Sequence, residues 1–94
     1  MPYVLAIHKV EDYARWKAGF DGAVAIRRAG GEKSYRIFRT VEDPNSLVLL
    51  FEWDSLDNAR KYLQSKELQG AMQRTGVIGR PDIYLLEELE KGSA

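Results

Sequence analysis

The sequence predicts an α+β domain in which four strands and two helical regions follow one another as β-α-β-β-α-β. Three observations lead there. Stretches rich in β-branched, aliphatic and aromatic residues recur at residues 3–10, 33–40, 47–53 and 83–89. An apolar stripe with helical period, Tyr13, Trp16, Phe20 and Val24, fills the gap between the first two. A short polar break, Glu42-Asp43-Pro44-Asn45-Ser46, joins the middle two as an antiparallel hairpin, because proline presets φ while Asp and Asn bond locally to the backbone.

Each element has local support. After the first strand, Glu11-Asp12 put negative charge at a helix start, where the helix dipole favours it. Gly30-Gly31 end that helix, since glycine takes the left-handed cap conformation without a Cβ clash. Asp54 or Ser55 can cap a second helix with Leu56, Ala59 and Leu63 on one face. Ser65 caps a further short helix carrying Leu68, Ala71 and Met72, which Gly76 and Gly79-Arg80-Pro81 are expected to break before the fourth strand. The order is the split βαβ, or ferredoxin-like, arrangement with a four-stranded antiparallel sheet. Residues 1–90 form one domain and 91–94 a polar tail, as suits a chain of 94 residues.

Composition excludes several classes of function. Fourteen Lys plus Arg balance fourteen Asp plus Glu, so there is little general attraction to nucleic acid or to an anionic membrane. RNA-binding domains with this strand order carry a basic aromatic motif on the third strand, and Leu47-Val48-Leu49-Leu50-Phe51 has no such motif. There is no cysteine, and the single histidine, His8, is too few for a histidine-based zinc site, so no metal is expected. No Gly-rich phosphate loop is present, because Gly30-Gly31 close a helix and do not open one. The longest apolar run, residues 47–51, is five residues, where a membrane span needs about 20. Met1-Pro2-Tyr3 has neither the basic region nor the cleavage site of a secretion signal. The expectation is a cytoplasmic domain.

Two helical regions can cover only one face of the sheet, yet both parities of the strands are apolar. We expect Leu5, Ile7, Leu49, Phe51, Ile83 and Leu85 under the helices, joined by Tyr35 and Ile37. The opposite face then carries Val4, Ala6, His8, Arg36, Phe38, Val48, Leu50, Glu52, Tyr84 and Leu86. A bare apolar face of that size calls for a second copy, sheet against sheet, and so for a homodimer. His8, Arg36, Glu52 and Tyr84 are the polar groups of that face, and a few polar groups in an apolar lining are what a small-molecule pocket presents.

These residues resemble a known family. The four-strand, two-helix order, the Glu52-Trp53-Asp54-Ser55 step into the second helix and Ala59 four residues beyond Ser55 are similar to the antibiotic biosynthesis monooxygenase family. More broadly they resemble the dimeric α+β barrel superfamily. The opening His8-Lys9-Val10-Glu11-Asp12-Tyr13-Ala14-Arg15-Trp16-Lys17 resembles small bacterial members, some labelled cyclase-like. The resemblance implies two ferredoxin-like subunits forming a dimeric α+β barrel. It implies oxidation of a small aromatic or polyketide-like compound by oxygen without flavin, haem or metal, hence no cofactor. Many members carry histidines in and after the second helix, where Tyr62 and Glu67 stand here; haem-degrading chemistry is therefore not carried over.

His8 is the candidate catalytic base, able to deprotonate a phenol or an activated C–H near neutral pH; a ligand contact or a structural histidine are the alternatives. Arg36 could hold the resulting anion or pair with Glu52. Glu52 could serve as a second acid or base or as a structural partner, and Tyr84 could donate to a ligand oxygen or pack in a dimer core. Arg36, Glu52 and Tyr84 are thus the substrate-binding candidates. A polyketide cyclase-like enzyme would use the same groups, and a non-enzymatic dimeric barrel binding a hydrophobic metabolite would need none of them for chemistry.

Overall fold

Eight elements follow along the chain: β1 (Pro2–Val10), α1 (Tyr13–Gly22), α2 (Val24–Gly30), β2 (Glu32–Arg39), β3 (Ser46–Trp53), α3 (Leu56–Leu63), α4 (Lys66–Arg74) and β4 (Val77–Glu87). They are taken from a computed structural model that describes all of residues 1–94. The strands form one antiparallel sheet in the order β2-β3-β1-β4, so β3 lies between β1 and β2 as the split βαβ order requires. No helix is long and apolar enough to cross a membrane.

The local signals act as their chemistry predicts. Ser55 and Ser65 accept hydrogen bonds from Asn58 N at 3.1 Å and Leu68 N at 3.2 Å, capping α3 and α4. Gly31 closes α2 at φ +124, and a Cβ there would run into the Asp54 carboxylate, so glycine is required on both counts. In the hairpin Asp43 Oδ1 accepts from Asn45 N at 3.0 Å.

Two elements depart from expectation. The first helical region is two helices, because the chain leaves helical geometry at Ala23 (φ −99, ψ 7), between Gly22 and the β-branched Val24. Gly79-Arg80-Pro81 does not end the last helix ahead of a short strand; it lies within β4 as a bulge. The pairing jumps there from Ile7↔Asp82 to Lys9↔Ile78, with Gly79 at φ +72. Pro81 is accommodated because β4 is an edge strand.

The register sorts the sheet into rows. Tyr35, Phe51, Val4 and Leu85 form one row on the helix side, and Ile37, Leu49, Ala6 and Ile83 the next; Leu47 and His8 continue that face. Trp16 and Phe20 of α1 pack on Ala6, Val10, Leu47 and Leu49, while Ala59 of α3 packs on Val4 and Trp53. β1 therefore has the opposite parity to the one expected: Val4, Ala6 and His8 lie under the helices, and Leu5 and Ile7 face away. The other three strands have the expected parity. The open face carries the rows Arg36, Leu50, Leu5, Tyr84 and Ser34, Glu52, Tyr3, Leu86. It is largely apolar, with Phe38, Tyr84 and Leu86 exposed.

Candidate functional site

A cavity of about 80 Å³ lies between the helix-side rows of the sheet and the helices above them. That is several times the ~10–15 Å³ a single water needs. Val4, Ala6, Leu49 and Phe51 form its floor, Trp16 and Phe20 one wall, and Leu68, Ala71 and Met72 of α4 part of the cover. None of the α4 residues is fully buried, so this cover is held less firmly than α1. Pro81 of the β4 bulge also reaches the cavity. Almost all of the lining is apolar, and the polar groups that interrupt it are few: His8, Arg27, Glu32, Tyr62 and Thr75.

His8 reaches the cavity because it follows Val4 and Ala6 on the inner parity of β1. Its ring meets Trp16 edge-on, with centroids 5.7 Å apart and planes at 67°. Nε2 is buried and has no hydrogen-bond partner. Burial holds its pKa below the ordinary 6.5, because the apolar surroundings disfavour the imidazolium. The ring is thus neutral at pH 7, with one nitrogen carrying a lone pair.

At the other end of an aromatic row sits an ion pair. Trp16 stacks on Phe20 at 4.9 Å, and the Arg27 guanidinium lies 3.7 Å over the Phe20 ring. Arg27 Nε donates to Glu32 Oε1 at 2.9 Å and Nη1 donates to the Phe20 carbonyl at 2.7 Å. Both side chains are almost wholly buried, 3% and 5% exposed. Nη2 is buried without a partner. Burial raises the Glu32 pKa, and the opposing pull of Arg27 does not cancel it. Burial likewise raises the Tyr62 hydroxyl, with Arg27 working against that rise and Glu32 and Glu67 adding to it.

In the sequence Arg27 and Arg28 read as cations complementing the C-terminus of the first helix, with anion binding as the lesser alternative, and the pairing of Arg27 with Glu32 is not foreseen. The signal was present: Arg27 lies seven residues beyond Phe20 and eleven beyond Trp16, on the apolar stripe itself. A charge in that position has to find a buried partner.

The four residues singled out from the sequence are not brought together. His8 lines the cavity, whereas Arg36, Glu52 and Tyr84 project from the open face, with the sheet between. The reason is the β1 parity. Arg36 and Tyr84 stand at the two edges of one row, separated by Leu50 and Leu5, a span of about 14 Å at ~4.8 Å per strand. Glu52 accepts a hydrogen bond from the Tyr3 hydroxyl at 3.1 Å, which is the main reason that hydroxyl's pKa is raised. No ion pair joins it to Arg36. No group of three His, Cys, Asp or Glu side chains is placed to hold a metal.

No protein-family model matches the chain, and no curated protein matches it. Solved structures do. A Bordetella bronchiseptica protein provisionally named an antibiotic biosynthesis monooxygenase superposes with a TM-score of 0.79 at 19% identity, over 95% of this chain and 97% of that one. SnoaB from Streptomyces nogalater, a cofactor-independent oxygenase, superposes at 0.77 and 16% identity, over 96% and 94%. A Caulobacter crescentus protein, also provisionally named an antibiotic biosynthesis monooxygenase, gives 0.74 at 21% identity, over 95% and 90%. The chain has the antibiotic biosynthesis monooxygenase fold. The likeness runs the length of both partners, so the cavity between sheet and helices is built from elements that this fold supplies throughout.

Proposed function

We propose that the chain is a cofactor-independent, monooxygenase-like enzyme acting on a small aromatic or polyketide-like compound held in the cavity, with His8 as the base. The observation that carries this reading is the buried, neutral His8 ring on the cavity wall with Nε2 unpartnered. A polar atom left without a partner in a native interior has a cost, and a ligand proton is the partner that would relieve it. The fold shared with SnoaB supports the same reading.

In this scheme a CH2 flanked by aromatic or carbonyl groups gives one proton to Nε2. The carbanion adds oxygen to give a peroxide anion, which takes that proton back from Nε2 to become a hydroperoxide and then loses water to leave a ketone. The CH2 and O2 become C=O and H2O, all four electrons coming from the substrate, so no external reductant enters. The apolar lining keeps bulk water from the carbanion. Arg36 and Tyr84 are too far from His8 within one chain to stabilise that anion.

The open face is assigned to a second copy. Phe38, Tyr84 and Leu86 are exposed there beside Val48, Leu50, Leu5 and Ile7, and sheet-on-sheet pairing would bury them. Arg36, Glu52 and Tyr84 then belong to the lumen between the two sheets. Light scattering should give twice the chain mass of 10.7 kDa, and Leu50→Glu should halve it; a monomeric wild type sinks the dimer. Oxygen uptake with a panel of phenols and anthrone-type compounds tests the chemistry. Turnover by the wild type that His8→Gln abolishes supports the base, whereas unchanged turnover in His8→Gln removes it.

A further inference from the structure

The guanidinium of Arg27, on the cavity lining, keeps donors to spare, and these point to a ligand chemistry. Arginine has five N–H donors in a fixed plane. In Arg27 the Nε donor is taken by Glu32 and one Nη1 donor by the Phe20 carbonyl. The Phe20 ring covers one face of the plane at 3.7 Å. Nη2 has nothing, although Arg27 is only 3% exposed and lines the cavity. A permanently charged group held in place on three sides, with its remaining donors unpaired, is a pre-organised seat for an acceptor.

We propose that Arg27 anchors the acidic oxygen of the cavity's ligand: an otherwise apolar compound bearing one carboxylate, phenolate or enolate, whose oxygen accepts from Nη2. The assignment rests on the reading that the cavity is the ligand site, and it supplies the anion stabiliser that Arg36 and Tyr84 cannot be. Trp16 and Phe20 stack on each other at 4.9 Å between His8 and Arg27, so they line the cavity as one continuous apolar row. An acidic oxygen at Arg27 would extend the ligand along that aromatic row towards Nε2 of His8.

The test uses benzoate as probe and benzamide as its uncharged isostere, with calorimetry for affinity and the Arg27 Nε–H resonance for position. Wild type should bind benzoate about tenfold or more tightly than benzamide, as a hydrogen bond to a charged group warrants, and the Arg27 resonance should shift. Arg27→Gln should abolish the preference, while Arg36→Gln should leave it intact. If Arg27→Gln unfolds, the paired change Arg27→Gln with Glu32→Gln removes both charges together and should abolish the preference equally. A preference that survives loss of Arg27, or that disappears with Arg36→Gln, overturns the assignment, as does the absence of any preference in wild type. Oxygen uptake is read separately: Arg27-dependent benzoate binding without turnover would retain the anion seat and sink the oxygenase reading alone.

Discussion

The buried pair Arg27–Glu32 makes a sharp stability prediction. Replacing Arg27 by Met leaves a carboxyl that is 5% exposed without its cation, and also frees the Phe20 carbonyl that Nη1 satisfied. Breaking a buried pair from one side costs about 3–5 kcal/mol. Chains of this size hold about 5–14 kcal/mol in all, so the variant should fold with roughly half its stability. Glu32→Leu leaves the guanidinium unpaired and should cost a similar amount. Replacing both by Met and Leu removes two desolvated charges together and should return to within about 1 kcal/mol of wild type. Urea unfolding at fixed protein concentration, followed by the fluorescence of the buried Trp16 and Trp53, measures the cycle. The pH dependence has a definite sign. Glu32 has a folded pKa above its ordinary 4.5, so its contribution is full below 4.5 and is lost as pH rises through the folded value. Without Arg27 that pKa climbs further, so the penalty in Arg27→Met should be larger at pH 8 than at pH 5. Additive single losses below about 1 kcal/mol, the value of a surface ion pair, would refute the reasoning and show that water reaches this end of the cavity.

Three further outcomes follow from the same geometry. As the only histidine, His8 can be titrated by NMR without assignment and should protonate below 6.5. A lowered folded pKa means its contribution is full above 6.5 and lost as pH falls towards the folded value; His8→Leu should remove that acid-side decline in urea midpoints. At Gly19 an added Cβ would overlap the Thr75 methyl. Gly19→Ala should therefore cost about 1–3 kcal/mol and raise amide exchange in α4, and the second change Thr75→Ala should recover most of the loss; a neutral Gly19→Ala with unchanged exchange would show that α1 and α4 do not meet there. Gly31→Ala puts a side chain at φ +124 and against Asp54, so it should destabilise by more than the ~1 kcal/mol of an ordinary glycine change, read as a lowered Tm.

The element order was legible because several independent local signals agreed: the serines before α3 and α4, Gly31 after α2, the Asp43–Ser46 turn and the aromatic stripe of α1. The bulge in β4 was not. Gly79-Arg80-Pro81 reads as a breaker in any local window, and only pairing with β1 holds it in a strand. That pairing is a long-range fact, absent from the three residues themselves.

The site was harder to read for one physical reason, the composition of β1. A strand apolar on both parities specifies its own register weakly, and a slip of one residue moves every side chain to the other face. Leu5 and Ile7 look more like core than Ala6, yet Ala6 lies inside because the Trp16 and Phe20 rings occupy the space a larger residue would need. The end of the strand carried the deciding evidence. Val10 shares the parity of Val4, Ala6 and His8 and is fully buried, whereas Lys9 shares that of Leu5 and Ile7 and points to solvent. Followed to residue 10, the alternation puts His8 beneath the helices. The same logic reaches Arg27, on the stripe of Trp16 and Phe20. Both functional candidates are thus polar residues at positions whose periodicity demands an apolar one. That local inconsistency, more than the chemistry of any residue taken alone, is what makes the cavity the candidate site.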